Sequence, residues 1–147
     1  MIEVEQLTAE HIERMPGLMT AAQGLGVHKI ESMEGRPGVA VVSGDDVIAC
    51  GGVTILWPGV GELWAAFDAG HPQAAAAHVA LVRAYRKGRD DLGLWRCQAT
   101  IDAHNDVALL YASRACWGMH SEGLMRMYGP AGEDCVRMAW TRPRGAH

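Results

Sequence analysis

Histidine is the residue type in this chain that could most readily support metal or acid–base chemistry. The histidines that invite this interpretation are His71, His78, His104 and His120. No two of them show the His-x-x-x-His spacing of a helical metal site, and none stands at zinc-finger spacing from a cysteine. The sequence therefore predicts no metal site, and we expect His104 to be a polar turn residue and His120 to line a cleft.

The four cysteines add no redox or metal motif. They are spread along the chain as Cys50, Cys97, Cys116 and Cys135, with no Cys-x-x-Cys pair. A zinc ribbon and a thioredoxin-type site are therefore unsupported. Cys50, Cys116 and Cys135 lie in apolar stretches, where reduced, buried thiols are common, so we expect structural cysteines.

A strand followed by a short loop and a helix is the feature of this sequence that best suits anion binding. The strand is predicted for 62–67 and, after a break at 68–72, an alanine-rich helix is predicted for 73–88. Free N–H groups and the positive end of the helix dipole make such a helix start a site for phosphate oxygens. By contrast, the Gly-Leu-Gly at 24–26 lacks the third glycine and the preceding strand of a dinucleotide loop, and is predicted to be a turn. No Gly-x-Ser-x-Gly motif marks a serine nucleophile.

The composition predicts one weakly acidic globular domain. Lys+Arg number 13 against 17 Asp+Glu among 147 residues, which gives a net charge of −4, and 49% of the residues are hydrophobic. No basic cluster favours nucleic-acid binding, and no apolar run approaches the roughly 18 residues of a membrane span. The N-terminus carries acids where a signal peptide carries bases. We expect a single cytoplasmic domain over 1–147 with a frayed tail over about 142–147, and neither nucleic-acid nor membrane partners.

Hydrophobic periodicity and turn residues predict the elements that must position the chemistry. An edge strand is predicted near 2–7, and Thr8 is predicted to cap a helix that Pro16 interrupts and that resumes over 18–22. A polar segment over 28–37 is predicted to be a further helical turn or a loop. Strands are predicted for 39–42, 47–55, 62–67, 94–101, 124–128 and 135–140, and helices for 73–88 and 104–117. This order predicts an α/β fold with a mixed central sheet.

The order of elements resembles the GNAT superfamily of acyl-CoA N-acyltransferases over nearly the whole chain. One stretch that carries the resemblance is the strand Gly-Glu-Leu-Trp-Ala-Ala-Phe at 61–67 with the loop and helix after it. The other is Asn105, Ala108 and Tyr111 followed by Gly-Met at 118–119, which is similar to the family's Asn…Ala…Tyr…Gly-Phe stretch. The resemblance implies an α+β, mostly antiparallel central sheet flanked by helices. It also implies a fourth strand that splays from the fifth and a loop that binds the diphosphate of coenzyme A.

The resemblance further implies acetyl-CoA as acyl donor and a set of residues that hold it. The family's Gln/Arg-x-x-Gly-x-Gly/Ala loop overlays 73–78, with Ala76 and His78 at the two small-residue positions. Glycine there lets the backbone approach the diphosphate closely, so alanine is a mild change and histidine could crowd the phosphates. The residues expected to bind the cofactor are Phe67, Asp68, Gln73, Ala74, Ala75, Ala76, His78 and Asn105.

Acylation of an amine needs a base for the ammonium, an acid for the departing thiolate and donors for the oxyanion. The resemblance implies Glu62 as the water-linked base; the alternative is a solvent-facing strand carboxylate. It implies Tyr111 as the acid, since a phenol with a pKa of about 10 suits that step; the alternative is a packing residue. A backbone N–H near Phe67 or Asp68 would bind the oxyanion.

Three functions stay open on the sequence. The first is an N-acetyltransferase that moves an acetyl group from acetyl-CoA to a primary amine by direct attack, on a small molecule or on a protein lysine or N-terminus. The second is an inactive GNAT-fold assembly protein with an exposed Trp/Met surface. Short GNAT-like proteins of tailed bacteriophages are of this kind, and the degenerate loop resembles theirs; such a protein would reside in the virion or the infected host cell. The third is a sensor that binds CoA without turnover.

GNAT relatives are often dimers, so the resemblance implies a homodimer. The residues that we expect at its interface lie on the closing hairpin and are Met125, Met127, Met138 and Trp140.

Overall fold

The computed structural model describes residues 1–15 and 38–145. The predictions for the helix over 18–22, the turn at 24–26 and the polar segment over 28–37 lie outside the described residues. The same holds for the end of the predicted frayed tail, residues 146 and 147.

The described residues form one mixed sheet with helices against it. The strands are β1 (Glu3–Gln6), β2 (Gly38–Ser43), β3 (Asp46–Trp57), β4 (Val60–Phe67), β5 (Arg96–Asp102), β6 (His120–Met125) and β7 (Cys135–Thr141). The helices are α1 (Ala9–Arg14), α2 (Ala74–Asp91) and α3 (Asp106–Ala112). The sheet order is β1-β2-β3-β4-β5-β7-β6, and every pair is antiparallel except β4 and β5. The predicted fold class is confirmed.

Two predicted boundaries are wrong for local reasons. Periodicity predicts α3 through Trp117, but regular helix ends at Ala112, and the Trp117 N–H bonds the Arg114 carbonyl in a tighter turn. The apolar run predicts the sixth strand over 124–128, but β6 ends at Met125. There the chain turns, because Met127 adopts a φ of +54° and its N–H bonds the Asp134 carboxylate.

The core lies on both faces of the sheet. On one face, Ile12 of α1 belongs to a buried cluster with Trp64 of β4. On the other face, Ala77 and Leu81 of α2 belong to a second cluster with Met138 of β7. These two positions lie on the buried face of α2. The second face is also the one on which α3 lies.

The cysteines are all free, and burial separates them. Cys50, Cys97 and Cys135 are buried, and burial raises the pKa of Cys50 to about 12 and that of Cys97 to about 11. Cys116 is half-buried, packs against the core cluster that contains Ala77 and Leu81, and lies beside His78. Three thiols are therefore buried core residues, and Cys116 lies at the edge of the core.

The four hairpin residues that are predicted to form a dimer interface do not share one exposed surface. Met138 is 4% exposed and belongs to the core, and the ring of Trp140 packs beneath the guanidinium of Arg89. Met127 is 76% exposed. The predicted interface residues thus divide between core and surface. Met138 and Trp140 lie two residues apart on β7 and point to the same, core-facing side, whereas Met127 lies in the turn after β6.

The divergence of β4 and β5 is the feature of the sheet that positions a site. The strands run parallel and pair only at Val60–Glu62 with Arg96–Gln98. Beyond that point, residues 63–67 and 99–102 separate and leave a wedge between the strands. This splay was implied for the strand at 61–67, and it is confirmed.

Alanine substitutions at two glycines should change the free energy of unfolding in opposite directions. Gly59 has a φ of +90°, and a Cβ there would collide with the Trp95 ring, so Gly59→Ala should lower the free energy of unfolding by about 1–3 kcal/mol. Gly88 lies inside α2 with open space around a built Cβ, so Gly88→Ala should raise it by about 0.5–1 kcal/mol. Urea unfolding of both variants measures this, and equal signs would contradict the backbone assignment at Gly59.

Candidate active site

The wedge opens into a cavity. The cavity has a volume of about 770 Å³ and lies between the sheet, α2 and α3, extending along β5. At one end it is lined by Asp102, Asn105 and Tyr111, and at the other by Gly88 and Arg89 of α2. Most of its lining is apolar, which suits a ligand with a long apolar body and polar ends.

The end of β4 presents unpaired backbone groups to the wedge. The Asp68 N–H donates to the Ile48 carbonyl on β3 at 2.8 Å. Because the N–H groups of an antiparallel strand alternate in direction, the N–H of Phe67 points to the opposite side, toward the gap left by β5. Of the two predicted oxyanion donors, Asp68 is therefore already used, and Phe67 faces the wedge.

The start of α2 has free N–H groups, as its sequence predicts. The Ala74 N–H bonds the His71 carbonyl, and the Ala77 N–H bonds the Gln73 carbonyl. Within the described residues, the N–H groups of Ala75 and Ala76 have no partner, and both residues are exposed. The Gln73 side chain makes no capping hydrogen bond, and the first turn contains no acidic residue. This helix end can therefore accept an anion.

His78 and Tyr111 join α2 to α3. His78 Nδ1 lies 2.7 Å from Tyr111 Oη, and His78 Nε2 lies 3.6 Å from Cys116 Sγ. The Tyr111 ring stacks on Phe67 with centroids 5.5 Å apart and packs at the same distance from Trp117. The predicted cofactor residues Phe67 and His78 thus meet the predicted acid Tyr111 in one cluster.

Burial sets the protonation of this cluster. It raises the pKa of Tyr111, and the neighbouring Cys116 adds to the rise while Arg114 opposes it. Desolvation lowers the pKa of His78, and the positive charge of Arg114 lowers it further. At neutral pH the phenol is therefore protonated and the imidazole neutral, which is the state required of a proton donor with a base beside it.

Glu62 is held on the opposite face of the sheet from this cluster. Its carboxylate accepts hydrogen bonds from Gln98 Nε2 and Thr100 Oγ1, each at 2.7 Å, and pairs with Arg137 at 3.1 Å. Its side chain is 21% exposed. Glu62 is therefore not the solvent-facing carboxylate that the sequence leaves open as the alternative. Since a carboxylate has about four lone-pair sites, about one remains for a water or an amine.

Asn105 caps a helix and also lines the cavity. Its side-chain oxygen caps α3 by accepting the Ala108 N–H at 3.1 Å, and the residue lines the cavity. His104 is exposed in the preceding turn, as predicted, with its N–H on the Asp102 carboxylate. His120 is exposed at the start of β6 and is not among the residues that line this cavity, so its prediction as a residue of the acceptor cleft stays a prediction.

Residues 1–15 and 38–145 contain neither a metal-binding cluster nor a membrane-spanning helix. These residues contain no group of three or more His, Cys, Asp or Glu side chains placed to hold a metal ion. None of their helices is both long enough and apolar enough to cross a membrane.

Comparison with solved structures establishes the fold. An IAA acetyltransferase from Bacillus cereus matches with a TM-score of 0.71 at 14% identity, over 96% of this chain and 99% of that chain. A GNAT-family acetyltransferase from Bacillus anthracis matches with a TM-score of 0.66 at 15% identity, over 95% and 94%. This chain has the GNAT fold. The ribosomal-protein-S18-alanine N-acetyltransferase from Escherichia coli matches with a TM-score of 0.63 at 17% identity, over 100% and 99%.

The sequence of this GNAT-fold chain is only 14–17% identical to those of these three structural neighbours. No protein-family model matches it, and no curated protein matches it in sequence. The resemblance inferred from the order of elements is confirmed at the level of the fold. Since function resides in the site rather than in the fold, the residues around the wedge must carry the functional argument.

Sequence reasoning about the GNAT-fold chain missed three side chains. Arg137, which pairs with Glu62, lies on a strand far along the chain, and no local pattern links the two residues. Cys116 was assigned to the core, although it lies beside His78. Arg89 of α2 is not among the predicted site residues, yet it lines the cavity. Only the alternation of β7 could have placed Arg137 on the face that carries Glu62.

The lowered pKa of His78 has a consequence for stability in the GNAT-fold chain. The native state binds a proton at this site less readily than the unfolded chain, so the stabilisation is present above about pH 6.5 and is lost as pH falls below it toward the lowered pKa. Urea unfolding between pH 8 and pH 5 should show a steeper loss of stability than in His78→Gln. Parallel curves for the two proteins would contradict this.

Proposed function

We propose that the chain is an N-acetyltransferase that transfers an acetyl group from acetyl-CoA to a primary amine. The observation that carries the proposal is the gap between β4 and β5, into which the unpaired N–H of Phe67 points. A thioester arm with amide groups can pair with such a strand edge as a further strand would. Its carbonyl oxygen would then meet a fixed N–H donor.

The residues around the wedge suit both the diphosphate of acetyl-CoA and its thioester arm. The N–H groups of Ala75 and Ala76 are placed for the diphosphate, since they are exposed and stand at the positive end of α2. The apolar lining of the cavity suits the aliphatic part of the arm. Asn105 retains its amide nitrogen for the arm, because its oxygen is used in capping α3.

The proton steps are assigned to Glu62 and Tyr111. Glu62 takes a proton from the ammonium through a water at its remaining lone pair. The amine nitrogen then attacks the thioester carbon, the oxygen becomes an oxyanion on the Phe67 N–H, and the carbon–sulfur bond breaks. Tyr111 Oη gives its proton to the departing thiolate, and the tyrosinate regains a proton, through solvent, from the nitrogen as that nitrogen becomes an amide. His78 Nδ1 lies 2.7 Å from Tyr111 Oη and orients the phenol.

Release of free CoA thiol, followed with a chromogenic disulfide, tests the proposed function. The amine panel should contain a polyamine, a free lysine side chain in a peptide, and peptides that present different N-terminal residues, alanine among them, because one structural neighbour is a ribosomal-protein-S18-alanine N-acetyltransferase. We expect amine-dependent thiol release together with a mass increase of one acetyl group on one acceptor class. Hydrolysis at the same rate without any amine would contradict the proposal.

An interaction module is the second candidate, favoured by one observation. Trp57 and Trp95 are 60% and 54% exposed, and the backbone joins them at one end of the sheet, where the Trp95 N–H bonds the Gly59 carbonyl. Exposed tryptophans are enriched at protein interfaces. Absence of acetyl-CoA turnover, with a dimer in analytical ultracentrifugation that Trp57→Ser and Trp95→Ser abolish, would favour this function. In both cases we propose that 1–147 acts as one domain, with the homodimer as its assembly.

A further inference from the structure

The cavity does not end where the wedge closes. Beyond the point where β4 and β5 pair, it continues beneath α2 in a part that we call the inner arm. The inner arm is lined by Val53, Leu81, Ala84, Gly88, Leu94 and Cys97. An acetyl group at the wedge would leave this space empty, and its apolar lining favours an aliphatic occupant.

Arg89 lines the far end of the inner arm and brings a positive charge to it. It is the only lysine or arginine among the described residues that line the cavity. Its guanidinium carbon lies 3.9 Å from the centre of the Trp140 ring and 5.2 Å from that of Tyr85. The side chain is 17% exposed, so the charge is largely withdrawn from water and fixed against two rings.

The hydrogen bonds of Arg89 are far from complete. Among the described residues, its Nη1 reaches Tyr85 Oη at 3.5 Å, and its buried Nε has no hydrogen-bond partner. The carboxylate of Asp90 lies 3.8 Å from Nε but is itself 74% exposed, so it compensates the charge weakly. A guanidinium with about five donors can bind a carboxylate through its terminal nitrogens.

We propose that the inner arm binds an aliphatic chain that ends in a carboxylate, with the carboxylate on Arg89 and the chain along β5. The apolar lining selects the chain, and Arg89 selects its charged end. Two sources supply this chemistry. One is a free medium-chain carboxylate, and the other is the acyl group of a CoA thioester made from a dicarboxylic acid, which would deepen the proposed acyl transfer.

Titration calorimetry with octanoate, in the absence of any CoA compound, tests the proposal apart from acyl transfer. We expect binding to the unaltered protein and at least about tenfold weaker binding of octanamide, which has the same chain without the charge. Arg89→Gln should weaken octanoate about tenfold and leave octanamide unchanged. Arg83→Gln is the matched control, because Arg83 lies exposed on the same helix outside the cavity, and it should bind octanoate as the unaltered protein does.

A second variant keeps the test decisive if Arg89→Gln does not fold. Ala84→Phe fills the inner arm without changing charge, and it should abolish the binding of both ligands. Absence of octanoate binding to the unaltered protein would overturn the proposal, as would equal affinities for octanoate and octanamide.

The two sources are separated by competition. If adipyl-CoA displaces octanoate more strongly than acetyl-CoA does, the carboxylate belongs to the acyl donor. If neither thioester displaces octanoate, the ligand is a free carboxylate, and this result stands even where acyl transfer itself is absent. Both results require the octanoate site, so failure of the proposed function and failure of this inference are distinguishable.

Discussion

Tyr111→Phe should lower turnover of acetyl-CoA at least about a hundredfold, since a positioned general acid contributes about 10²–10⁴. The ring is retained, so its stacking on Phe67 and packing on Trp117 persist and the cavity keeps its shape. The lost hydrogen bond to His78 should cost only about 1 kcal/mol of stability. Initial rates of thiol release with the best amine, compared with urea unfolding, measure both effects.

The matched control is Tyr128→Phe. Tyr128 is exposed on the turn between β6 and β7 and does not line the cavity, so loss of its hydroxyl should leave the rate unchanged. The variant Tyr111→Phe should keep its affinity for acetyl-CoA, because the defect concerns the departing thiolate rather than binding. A rate within about twofold of the unaltered protein would reassign Tyr111 to packing.

Glu62→Gln should lower both turnover and stability. Loss of a general base lowers the rate about a hundredfold or more. The substitution also leaves Arg137, which is 15% exposed, beside a neutral amide. We expect a loss of about 1–3 kcal/mol, between the values for exposed and fully buried ion pairs. Turnover and urea unfolding of the same preparations separate the catalytic effect from the structural one.

Arg137→Met is the control that separates the catalytic role of Glu62 from its structural role. It breaks the same ion pair from the other side, so it should cost a similar stability. It leaves the carboxylate of Glu62 in place with the hydrogen bonds from Gln98 and Thr100, so turnover should stay well above that of Glu62→Gln. Equal turnover in the two variants would make Glu62 a structural residue only.

Local patterns predicted the elements and a mixed sheet. The alternation in 39–42 and 47–55 and the helical period of 73–88 depend on residues close together in sequence, so a short window contains each signal. The start of α2 was predicted for the same reason, since its free N–H groups follow from the strand, the loop and the helix alone. The splay of β4 from β5 was implied only by the resemblance that the order of elements carries.

The side-chain partners of the site depend on residues far apart in the chain. Glu62 and Arg137 meet through the register of β4, β5 and β7, and His78 meets Tyr111 only because α2 and α3 pack on the same face. Neither contact leaves a pattern within a short window. For the same reason, the loop overlay treats His78 only as a bulky substitute for glycine, whereas its side chain points toward α3.

Titration of the purified protein with acetyl-CoA by calorimetry tests the central claim most directly, namely that the wedge and the start of α2 hold a CoA thioester. We predict a dissociation constant in the micromolar range, about −8 kcal/mol, for the unaltered protein. Ala76→Asp places a carboxylate at the free N–H groups of α2 and should weaken binding at least about tenfold. Absence of heat at millimolar acetyl-CoA, or equal binding by Ala76→Asp, would contradict the claim.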